Sequence, residues 1–331
     1  MVSIMDETSG QIYSDPVRKY VYPWARIVSC FLVLWLGLVL LSLSSSVFLD
    51  QPRFDGETVA LFHQHESMES DSPADLLLVG DSSCMMGVDA PALSERLGGL
   101  SKSLNLGLII GLSAKTYAEA VRTKIDNARV FPKVLILLIS PAKLAEDQRN
   151  PWFEDLWQSF AISHSSIEAS PFEFVRERLM GRLFSQSLKG NGAWEYGFTS
   201  VIWDYLEAHH GSAIDGGEFR WKGKGEGRSF KVLSTLEGEY LDFQSIIGEQ
   251  VPLFVGLTPM PETYVGDSFE ADREHMLATL SKWMPTAHIL ANLPATLPGG
   301  VFATPTHLNE QGQRVFTRYL AEILRREDLG L

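Results

Sequence analysis

Asp75-Leu-Leu-Leu-Val-Gly-Asp-Ser-Ser83 decides how the rest of the chain is read: an aliphatic run of strand length closes on a Gly-Asp-Ser-Ser turn. Continuous aliphatic runs mark strands of parallel sheets, which are buried on both faces. Open α/β sheets bind ligands at the carboxyl ends of such strands, so Ser82 stands where chemistry is expected. Gly, Asp and Ser are also ordinary turn residues, and the stretch alone specifies only a turn.

Outward from it, four more strand-like runs follow: Ser103 to Leu108, Val134 to Ser140, Val251 to Leu257 and His288 to Leu293. Helical patterns separate them, at Ala90 to Leu97, Ala114 to Ala128, Ser268 to Trp283 and Glu310 to Arg326. Alternating strands and helices predict an α/β fold, a three-layer α/β/α sandwich around a five-stranded parallel sheet. The interval 141–250 is far longer than one crossover needs and is expected to be an inserted subdomain. It is aromatic-rich, with Trp152, Trp157, Trp194 and Trp203 among its residues. Spacings such as Phe153, Leu156, Trp157 and Phe160 predict helices in it, packed on the core or facing a membrane, a membrane partner or a carbohydrate. Arg220-Trp-Lys-Gly-Lys-Gly-Glu-Gly-Arg228 lacks the strand-loop-helix setting of a phosphate loop and reads as a mobile hairpin or loop.

Before the first strand lie three segments. Residues 1–26 are polar and carry Arg18, Lys19 and Arg26 ahead of an uncharged run from Ile27 to Leu49. That run exceeds the roughly 20 residues needed to cross a ~30 Å hydrocarbon core. Basic residues on its amino side place residues 1–26 in the cytoplasm and the main domain outside, in the periplasm or beyond, on an inner-membrane anchor. A cleaved signal peptide with Ser42 to Ser46 as its exit is the competing reading. Residues 50–74 read as a solvated connector; His63 and His65 could supply two metal ligands, but no third lies nearby.

A net charge of -13, almost all of it after residue 50, argues against nucleic acid as a partner. The two cysteines, Cys30 and Cys84, form neither a disulfide framework nor a zinc pattern. No motif calls for a metal or a cofactor.

Thr304-Pro-Thr-His307-Leu-Asn-Glu-Gln-Gly312 follows the fifth strand, which brings His307 to the same edge of the sheet as Ser82. A hydroxyl is a weak nucleophile until a neighbouring imidazole takes its proton, so the two residues suggest a catalytic pair.

These blocks resemble the SGNH, or GDSL-like, hydrolase superfamily. Gly80-Asp81-Ser82-Ser83 is similar to its nucleophile block, Asn105-Leu-Gly107 to its second block, and His307-Leu-Asn to the end of its last block. The resemblance implies Ser82 as nucleophile, His307 as general base and the Gly107 amide as an oxyanion donor, with Asn105 and Asp81 in support. Two departures stand out. The asparagine donor of the third block is missing, with Ser140 close to its place, and Thr304 stands where the acid is expected. A threonine hydroxyl can orient an imidazole but cannot stabilise its charged form. Three possibilities stay open: a Ser/His dyad, a triad completed by an acid from elsewhere, or a degenerate site.

Together with the anchor and the insertion, this resembles the membrane-anchored SGNH-like proteins that work beside a polytopic membrane-bound O-acyltransferase, in polysaccharide O-acetylation and D-alanyl transfer. The implied activity is acyl transfer, with acetyl as the leading acyl group, from a Ser82 ester to hydroxyls of a cell-envelope or extracellular polysaccharide. An esterase using the same residues and a non-catalytic scaffold that binds polysaccharide or a membrane complex are the alternatives.

Overall fold

A computed structural model describes residues 27–36, 56–98, 102–108, 112–146, 157, 205–215, 230–247 and 251–327. The chain divides into two units, Met1–Arg53 and Phe54–Leu331. In the first, residues 27–36 are helical and expose apolar side chains such as Phe31 and Val33. Among the described residues no helix is long and apolar enough to cross a membrane. Residues 37–49 of the expected span lie outside them.

The second unit is an α/β domain. Its five-stranded sheet has the order β2-β1-β3-β4-β6, from Leu76–Gly80 (β1), Ser103–Gly107 (β2), Val134–Ile139 (β3), Leu253–Leu257 (β4) and His288–Ile289 (β6). Every pairing is parallel, with Leu76 beside Ser103 on one side and Val134 on the other. The aliphatic runs form strands because helices cover both faces, and residues alternate between them. Leu77, Val79, Leu135 and Leu137 pack with Ala114–Ala128 (α4), Glu237–Ile247 (α6) and Phe269–Trp283 (α7). Leu76, Leu78, Ile136 and Leu138 pack with Ala90–Arg96 (α3) and Glu310–Leu324 (α8). Two apolar cores on opposite faces of one sheet make three layers. In this strand order the winding reverses between β1 and β3, so the turn after β1 opens at the reversal, where such sheets hold ligands.

Several expectations need correction. The connector 50–74 is not solvated through its length: Gly56–Glu69 is a helix (α1) that buries Ala60, Leu61, His63 and Gln64. Its apolar residues are too few for a clear amphipathic stripe, which hid it. The His63 and His65 pair therefore lies on a helix, and among the described residues no group of three or more candidate ligands could hold a metal ion. The fifth strand is two residues long, and a short pairing of Met260–Pro261 (β5) with Thr296–Leu297 (β7) follows.

The described ends of the interval 141–250 belong to the α/β unit. Pro141–Ala145 (α5) leaves β3 directly, and α6 packs on α4 as part of the crossover to β4. Residues 205–215 run beside β2, where the Asn105 amide donates to the His210 carbonyl at 2.8 Å. Trp157 is buried and meets the His65 ring edge-on at 5.8 Å. The other expected aromatic helices and the basic glycine-rich loop lie outside the described residues.

Candidate active site

Strand β1 ends on Gly80, whose φ of +154° and crowded surroundings exclude a side chain: a Cβ there would stand 1.9 Å from the Leu138 carbonyl oxygen. Strands β1 and β3 come together at this point, and the chain turns at once into the short helix Ser82–Gly87 (α2). Asp81 caps that helix by accepting from the Ser83 amide at 2.9 Å and from the Ser83 hydroxyl. Its other oxygen accepts the Ser140 amide at 3.0 Å, tying the ends of β1 and β3 together. Thr258, after β4, donates to Ser83 Oγ at 3.0 Å. A helix cap and two strand ends thus fix the turn that presents Ser82.

The Ser82 hydroxyl stands 2.9 Å from His307 Nε2. His307 sits on a tight loop between Phe302 and Leu308, which bridge as antiparallel partners. The His307 carbonyl accepts the Ala303 amide at 2.9 Å, and the His307 amide donates to Thr304 Oγ1 at 3.0 Å. Thr304 therefore shapes the loop backbone; the orientation of the ring comes from elsewhere.

It comes from Asp215. Its Oδ2 lies 3.1 Å from His307 Nδ1, with side chains 20% and 15% exposed. The serine, imidazole and carboxylate form a continuous hydrogen-bonded line, with the acid 92 residues before the histidine. Nδ1–H donating to a carboxylate leaves Nε2 as the acceptor facing Ser82, the tautomer a general base needs. Of the three possibilities open in the sequence, the geometry is that of a triad completed by an acid from elsewhere. No spacing rule points to Asp215; its only local mark is its place in Gly211-Ser-Ala-Ile-Asp215, a polar-ended segment within the long interval.

That segment is held along the edge of β2 by buried amides. Gln64 Nε2 donates to the Gly211 carbonyl at 3.0 Å and to the Gly107 carbonyl at 3.2 Å. Asn105, fully buried, donates from Nδ2 to Ser212 Oγ and to the carbonyls of Cys84 and Val88. Asn105 is thus a clamp between β2, α2 and the acid-bearing segment.

The Gly107 amide, expected as an oxyanion donor, has its acceptor in the same residue. The Gly107 amide donates to Asn105 Oδ1 at 2.8 Å, so it is occupied. Glycine is needed here for a different reason: a Cβ would stand 2.4 Å from the Met85 amide, so α2 packs directly on the strand backbone. Ser140 likewise caps α5 by accepting the Ala142 amide, while its own amide is held by Asp81. The Ser82 amide, at the first position of α2, is among the donors that a helix start leaves without an intrahelical acceptor.

Cys84 does not compete as a nucleophile. Burial, and secondarily the Asp81 carboxylate, push its thiol well above the ordinary range. Its sulfur faces Asn105 Oδ1 at 3.7 Å inside the core.

Comparison with models of known protein families and with curated protein sequences gives no match. The chemistry is therefore read from the arrangement of these side chains.

Proposed function

We propose that this chain is a serine-dependent acyltransferase of the SGNH-like type, with Ser82 as nucleophile, His307 as general base and Asp215 as the acid that orients it. The observation that carries the reading is the unbroken line Ser82 Oγ, His307 Nε2, His307 Nδ1, Asp215 Oδ2, at 2.9 and 3.1 Å. In the first half-reaction Ser82 Oγ attacks the carbonyl of an activated acyl donor while His307 takes its proton. The donor's leaving group departs with that proton, and an ester on Ser82 remains. In the second, an acceptor hydroxyl attacks the ester as His307 takes its proton. The acyl group leaves on the acceptor, and Ser82 recovers its hydroxyl. Asp215 holds the tautomer and stabilises the imidazolium formed in each half. The Ser82 amide supplies one oxyanion contact.

The acyl group is acetyl in this reading and the acceptor is a sugar hydroxyl of a cell-envelope or extracellular polysaccharide. The donor side is a polytopic membrane-bound O-acyltransferase, with the chain held at the inner membrane through its apolar run at Ile27 to Leu49 and the α/β domain outside. With water in place of the sugar, the same residues make an esterase.

A non-catalytic scaffold is the second reading, favoured by one observation: the Gly107 amide and the Ser140 amide are both engaged within the protein. Intact-mass measurement after incubation with a fluorophosphonate separates the two. The enzyme takes up one adduct that Ser82→Ala abolishes; an unlabelled wild-type chain overturns the enzymatic reading. Polymer-bound acetate in cells carrying Ser82→Ala then separates transfer from hydrolysis, since a transferase loses it.

A further inference from the structure

Gln313, in the first turns of α8, is buried at the meeting point of the three elements that carry the site. Its Nε2 donates to the Ala213 carbonyl at 2.7 Å and to the Met86 carbonyl at 3.3 Å. Met86 is in α2, the helix that begins with Ser82; Ala213 is just ahead of Asp215; Gln313 itself follows His307 into α8. Because both partners are carbonyl oxygens, only the amide nitrogen can face them, which fixes the orientation of the side chain. A second link runs along the same seam, where the Ala213 amide donates to the Met85 carbonyl at 3.0 Å.

We infer that Gln313 is a positioning residue for the acid of the site. Its amide fastens the Asp215 segment to the nucleophile helix from within the histidine's own helix, so that Asp215 meets His307 Nδ1 while His307 Nε2 meets Ser82. The inference rests on the Ser82, His307 and Asp215 reading above. Gln313 touches none of the reacting atoms, and its effect passes through the carboxylate. A misplacement of about 1 Å in such a constellation costs on the order of 10²-fold in rate.

The test uses the full chain and compares wild type, Gln313→Met, Asp215→Asn and the double variant. Methionine keeps the volume and removes the donor. Two quantities are read: the rate of fluorophosphonate labelling at Ser82, and the far-downfield proton resonance of a histidine Nδ1–H bonded to a carboxylate. Gln313→Met is expected to label roughly 10- to 100-fold more slowly. It should also lose the downfield resonance, as Asp215→Asn does. The double variant should label no more slowly than Asp215→Asn alone, because both changes remove the same interaction. A general loss of stability would leave the resonance in place and multiply the two losses. Labelling by Gln313→Met within about twofold of wild type, a retained resonance, or multiplying losses overturns the positioning role. If Gln313→Met does not fold, Gln313→Asn, which withdraws the amide by one methylene, carries the same expectations. A wild-type chain that takes no label overturns the triad reading and the positioning role with it; an impaired Asp215→Asn beside an intact Gln313→Met overturns the positioning role alone.

Discussion

Replacing Asp215 by asparagine removes one negative charge and leaves the shape of the side chain unchanged. In the proposed reaction Ser82 would pass its proton to His307, and the imidazolium would form 3.1 Å from the Asp215 oxygen. Two unit charges about 4 Å apart interact by ~4 kcal/mol at an effective dielectric near 20. Because both side chains are partly exposed, at 20% and 15%, about half to three quarters of that is a fair share. The expected loss is about 2–3 kcal/mol of transition-state stabilisation, or roughly 30- to 150-fold in kcat/KM. The assay is hydrolysis of p-nitrophenyl acetate by the protein, with thermal unfolding followed in parallel. Activity of Asp215→Asn within about threefold of wild type, in a protein that Ser82→Ala inactivates, would show that the carboxylate does no electrostatic work in the reaction. Thr304→Val gives the contrast: it removes a turn hydrogen bond worth about 1 kcal/mol of stability and should slow hydrolysis only a few-fold.

Other expectations concern the scaffold. Gly80→Ala puts a Cβ 1.9 Å from the Leu138 carbonyl oxygen at a φ few L-residues adopt, and should destabilise by about 4 kcal/mol or more in urea titration, or prevent folding. Asn105→Ala strands the Gly107 amide and the Val88 carbonyl, for an expected loss of about 3 kcal/mol or more in the same titration. Burial lowers the pKa of His63 to about 4. Between pH 6.5 and 4 the unfolded chain binds a proton there that the folded chain does not, so stability falls as pH falls through that window. His63→Gln should flatten the loss by about 3 kcal/mol, read as urea midpoints at pH 7 and pH 4.

How much of this was legible in the sequence follows from what each signal depends on. The strands β1 and β3 are runs of aliphatic residues buried on both faces, so their composition alone announces them. Ser82 and His307 were legible because each follows a strand at the sheet's carboxyl edge, which topology brings together. Helix α1 escaped because its buried members, Ala60, Leu61, His63, Gln64 and Met68, include two polar residues that interrupt the apolar stripe. Asp215 escaped because what places it is tertiary: the buried amides of Gln64 and Asn105 hold its segment along β2. The surroundings of Gly107 escaped for a related reason. A glycine at a strand end fits both an oxyanion donor and a close approach of backbones, and only the position of Met85 shows the second.

Acyl-enzyme trapping tests the central claim most directly: brief incubation of the protein with p-nitrophenyl acetate, acid quench, and peptide mapping by mass spectrometry. One acetyl group on the peptide containing Ser82 is expected, absent from Ser82→Ala and strongly reduced in His307→Ala. Acetylation elsewhere that persists in Ser82→Ala, with none on Ser82, would contradict it.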